Sequence, residues 1–108
     1  MKYAPSKPPS ECHSLAEIRT QIDQIDRGII QALGERRRYV MAAGAFKTNP
    51  GEVAAPERVR AILEERARWA EEEGLKPELV VRIYSELVAY FIAEEQEHWT
   101  RKAEQQTT

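Results

Sequence analysis

The sequence predicts an all-α protein with three helices per chain. Two observations carry that prediction. Apolar residues recur at three- and four-residue steps through three long stretches, and no stretch alternates apolar and polar as a strand does. Each stretch is also punctuated by start and stop chemistry of the kind helices use. No internal repeat or low-complexity tract interrupts them.

The first helix is expected from Ser14 to Lys47. Its stripe runs Leu15, Ile18, Ile22, Ile25, Ile29, Leu33, Val40 and Ala43. Ser14 and Glu17 form a capping box at the start, and Thr48-Asn49-Pro50-Gly51 ends the period. Unbroken, such a helix is about 50 Å long, whereas a compact monomer of this size has a radius of gyration of roughly 13 Å. One chain cannot cover it, so a second copy is expected. Gly28, Gly34 and Gly44 each cost about 1 kcal/mol in a helix interior; at Gly34 and Gly44 the cost suits close approach of a crossing helix or a ligand.

Asn49 to Ala55 is expected to be a loop. Pro56 then opens a second helix, with Val59, Ile62, Leu63, Ala67 and Ala70 inward and Gly74-Leu75 as its C-cap. Arg66, Arg68 and Glu71-Glu72-Glu73 are expected at the solvated surface. Pro77 opens the third helix, whose inner face runs Val80, Ile83, Leu87 and Phe91 and reaches Glu95 one turn later. The domain is bounded as residues 14–104. A polar lead over 1–13, rich in proline, and a tail over 105–108 are expected to be disordered.

Composition narrows the function classes. The chain has 108 residues, 42% hydrophobic and 31% charged, with a formal net charge of -2. That suits one domain with a core. It supplies no basic stripe for nucleic acid or an anionic membrane. Cys12 is the single cysteine, which excludes an internal disulfide and suits a reducing, cytoplasmic setting. His13 and His98 add too few ligands for a metal site. Gly-rich phosphate loops and nucleophile motifs are missing, so any chemistry must rest on positioned charges.

Three cations lie on or beside the first stripe. At about 100° per residue, Arg36 and Lys47 share a face, roughly 16 Å apart along the axis, and Arg37 and Arg38 point away. Arg19 is about 25 Å from Arg36, so it could reach a shared anion only from another subunit. Such residues are either solvated rim charges or an anion site. Glu95, a carboxylate on an apolar face, is either a helix-end surface residue or a site residue.

Ala16-Glu17-Ile18-Arg19, Ile22-Asp23, Ile25-Asp26, Arg36-Arg37, Phe46-Lys47 and Pro56-Glu57-Arg58-Val59 together resemble the all-helical chorismate mutase family. Glu65 to Glu72 and Ile92-Ala93-Glu94 with Trp99 resemble its bacterial isochorismate-pyruvate lyase branch, which makes salicylate for siderophores. The resemblance runs from about Cys12 to Trp99. It implies an intertwined helical homodimer of the chorismate mutase II type, with two shared sites for a small dianionic enolpyruvyl ether and no cofactor. By position, Arg36 and the partner chain's Arg19 would bind carboxylates. Lys47 would face the ether oxygen with Glu95, and Arg58, Val59 and Phe91 would line the pocket. Mutases of this fold commonly have a glutamate where this chain has Val59, to read the C4 hydroxyl of chorismate, which favours the lyase. Glu95 stands where lyases have glutamine and fungal mutases glutamate. The alternatives are a chorismate mutase, a mutase of an amino-substituted chorismate, or a non-catalytic helical dimer that binds partner proteins.

Overall fold

The computed structural model describes residues 6–107; the outermost parts of the expected lead (1–5) and tail (108) lie outside the described residues. Three long helices dominate, α1 (Leu15–Ala43), α3 (Pro56–Glu72) and α4 (Pro77–Thr107), with a short α2 (Pro50–Ala54) between the first two. Among the described residues there is no strand. The chain divides into two compact units within α1, between Tyr39 and Val40.

In the first unit, Ser14 Oγ accepts the Glu17 N–H at 3.1 Å, as a capping box requires. The Glu17 carboxylate reaches one residue further back than expected and takes the His13 N–H at 2.6 Å. That hydrogen bond, and then the charge of Lys7, holds the Glu17 carboxyl below the usual glutamate range. Pro9–Glu11 make a 3-10 turn, and the Ser6 and Lys7 amides donate to Gln21 Oε1. The α1 stripe is largely uncovered: Leu15 is 63% exposed and Ile22 and Ile29 are each 49% exposed.

Continuous α-helix ends at Ala43, four residues before the expected Lys47, and Gly44–Phe46 tighten into a 3-10 turn. Gly44 is the first residue of that turn. The expected loop contains a helix. Asn49 caps α2 by accepting the Glu52 N–H at 2.9 Å, and Pro50 occupies its first turn. Ala55, with φ of 41°, turns the chain through the left-handed region between α2 and α3.

The second unit packs α3 and α2 on α4. Val53, Ile62, Ala70, Val88 and Phe91 form its core. The C-cap of α3 follows the sequence: Gly74 (φ 73°) donates to Glu71 O and Leu75 N–H to Ala70 O at 2.8 Å, a Schellman closure. Arg66 departs from its expected solvated position. Its guanidinium lies 4.4 Å from the Trp69 ring and 5.5 Å from that of Tyr84, tying α3 to α4 through cation–π contacts. Helix α4 continues past residue 104 to Thr107.

Candidate active site

The 3-10 turn after α1 delivers Lys47 in an extended conformation (φ -97°, ψ 139°), its N–H bonded to Gly44 O at 3.2 Å. Helix α4 delivers Glu95 one turn after the buried Phe91. The Lys47 Nζ donates to Glu95 Oε1 at 2.7 Å. Glu95 is 2% exposed, and the Lys47 side chain keeps 23% of its surface. A carboxylate this deep is costly without a charged partner, and the lysine is that partner. Glu95 is therefore no helix-end surface residue.

Gly44 shows what the close approach was for. A Cβ there would stand 3.5 Å from Glu95 Oε1, so the turn lies directly against the carboxylate. At Gly34 the nearest group to such a Cβ among the described residues is the flexible tip of Arg38 at 3.9 Å.

A cleft of about 340 Å³ opens beside Lys47, lined also by Gly44, Thr48, Trp99 and Lys102. Trp99 and Lys102 were not singled out from the sequence as site residues. The signal was there, because they fall four and seven positions after Glu95 on one helical face. Glu52 was missed too. Its carboxylate accepts from Thr48 N–H at 2.7 Å and Thr48 Oγ1 at 2.9 Å. Asn49-Pro50-Gly51-Glu52 has the cap, proline and third-position acid of a helix start. Those Thr48 hydrogen bonds first, and then the nearby Lys47 charge, hold the Glu52 carboxyl below the usual glutamate range.

The other expected site residues are spread over both units. Arg58 is exposed on the first turn of α3, with Val59 half-buried beside it. Arg19, exposed, and Arg36, half-buried, belong to the first unit. Lys47 and Glu95 are the pair the fold brings into contact. Chemically, a fixed ammonium against a shielded carboxylate can hold an anion or meet charge developing on a substrate oxygen.

This all-helical fold, with a lysine meeting a buried acid midway along its last helix, is that of a known class. Residues 18–96 match the chorismate mutase type II family, and the chain belongs to it. The isochorismate pyruvate lyase of Pseudomonas aeruginosa is 48% identical over 93 residues, covering 86% of this chain and 92% of that protein. The T-proteins of Haemophilus influenzae and Enterobacter agglomerans are 35% and 33% identical over 68 and 67 residues, matching 18% of each.

Proposed function

We propose that the protein is a cofactor-free isochorismate pyruvate lyase that works as a homodimer in the cytoplasm and has weak chorismate mutase activity. The observation that carries this is the Lys47–Glu95 contact at 2.7 Å, in a chain 48% identical over most of its length to a lyase of that name. Isochorismate would divide into salicylate and pyruvate in one step. A ring hydrogen moves to the enolpyruvyl methylene as the ether C–O bond breaks, and the electrons redistribute into the aromatic ring and the pyruvate carbonyl. Neither a nucleophile nor a redox partner is needed.

Lys47 suits the role of meeting negative charge on the departing oxygen. An ammonium has three hydrogens, so it can keep one on Glu95 and offer another to the ether. Arg36, Arg58 and the partner chain's Arg19 would hold the two carboxylates and keep the substrate in its compact reactive conformer. Phe91 would wall the pocket. Sharing Arg19 between subunits agrees with its position about 25 Å from Arg36 along one continuous helix. The uncovered stripe of α1 supports the dimer, since Leu15 and the isoleucines need a partner surface.

The second enzyme reading is a chorismate mutase, favoured by the family match. Val59 speaks against it as the main activity, because valine accepts no hydrogen bond from a C4 hydroxyl. Incubation of the purified protein with isochorismate and, separately, chorismate decides. Salicylate and pyruvate formed with the larger kcat/KM support the lyase. A larger value for chorismate to prephenate moves the assignment to the mutase.

A further inference from the structure

We propose that Glu52 is a positioning residue for the reaction, acting through Lys47: its carboxylate closes the segment from Lys47 to Glu52 and fixes the backbone from which the lysine reaches Glu95. This rests on the role given to Lys47 above.

Lys47 is tethered on both sides. Its own N–H is bound to Gly44 O, and the next N–H along the chain, that of Thr48, is bound to Glu52 Oε2 at 2.7 Å. The second carboxylate oxygen takes the Thr48 hydroxyl at 2.9 Å and the Asn49 side-chain amide at 3.4 Å. Glu52 therefore gathers three donors from the two residues that follow Lys47. Its own place is set in turn. The Glu52 N–H is bound to Asn49 Oδ1, and the adjacent Val53, 1% exposed, seats α2 in the core against α4. Since α4 also carries Glu95, the contacts close a loop from α4 through Val53, Glu52 and Thr48 to Lys47 and back to α4. A lysine side chain gives up rotamer freedom when it is ordered. A backbone held this way leaves the side chain as the part still to be ordered when the ammonium meets its target. The charge on Glu52 matters, because hydrogen bonds to an ionised acceptor are roughly twice as strong as neutral ones.

The competing role is that of a helix cap, which would stabilise α2 and do nothing to Lys47. Two measurements on full-length E52A and E52Q separate them. In the substrate-free protein, the two Lys47 ε-methylene protons should resonate apart in wild type and merge in E52A as the side chain becomes mobile. With isochorismate, kcat should fall about 10- to 100-fold in E52A and less in E52Q, with KM within threefold of wild type. A simple cap would lower thermal stability and leave both the proton signals and kcat in place, which would overturn the proposal. Either change without the other would overturn it as well. If wild type turns over neither isochorismate nor chorismate, the lyase assignment fails, while the Lys47 signals still report whether Glu52 holds the lysine.

Discussion

Lys47 and Glu95 depend on each other for more than chemistry. Removing the lysine strands a carboxylate that is 2% exposed. Lys47→Ala should therefore lose stability as well as turnover, by about 3 kcal/mol, the low end for a broken buried pair because Lys47 still reaches solvent. Urea denaturation checks this, and the double variant Lys47→Ala/Glu95→Ala should recover most of the stability and none of the activity. Glu95→Gln is the opposite case. Its amide keeps an oxygen for Lys47 and adds an N–H donor toward the substrate, so turnover should hold or rise. A tenfold fall in kcat would show that the reaction needs the carboxylate itself and would overturn the donor role. The place of Glu95 could be read from sequence, because Phe91 and Glu95 share a helical face. Its distance to Lys47 could not, because no periodicity relates residues 48 positions apart in the chain.

Two residues with positive φ test the punctuation between helices. Gly74→Ala should cost about 1–2 kcal/mol, since φ of 73° is unfavourable to any side chain with a Cβ. Ala55→Gly relieves the same kind of strain at φ 41° but loosens the unfolded chain, so its melting temperature should stay near wild type. The acid-sensitive hydrogen bonds belong to this scale too. The carboxyls of Glu17 and Glu52 are held below the ordinary glutamate value of about 4.3. What they contribute is present above that value and disappears as pH falls through their lowered midpoints. The Thr48 amide resonance, downfield at neutral pH, should move upfield only at pH below that of an ordinary glutamate titration. Long helices with closed caps were legible in the sequence, as Gly74-Leu75 shows. The end of α1 and the whole of α2 were not. Apolar spacing reaches Ala43, the last residue of α1, and does not show that the next turn tightens to 3-10, while a five-residue helix is too short to display a period.

At the scale of the molecule, the uncovered isoleucines of α1 predict association. Light scattering at micromolar concentration should give twice the chain mass, and a folded monomer would refute the dimer. Shared sites predict complementation: inactive Arg19→Ala and Arg36→Ala chains, mixed into verified heterodimers, should regain one intact site per pair. Heterodimers as inactive as their parents would refute sharing. The expectation of a second chain follows from helix length alone. How α1 packs in a pair does not, because the stripe specifies an apolar face and leaves the crossing geometry open.

The same stripe sets a condition on how the protein is made. The ribosome completes α1 before any residue of α3 or α4 exists. At about 5–20 residues per second, the isoleucine face then waits several seconds in the cell without a mate. During that interval it is a sticky nascent segment, and its nearest matching surface is the α1 of a neighbouring chain on the same message. Pairing during translation would shield it soonest. Loading only one ribosome per message, so that no neighbouring α1 is at hand, should therefore raise the aggregated fraction without changing a single residue of the finished enzyme.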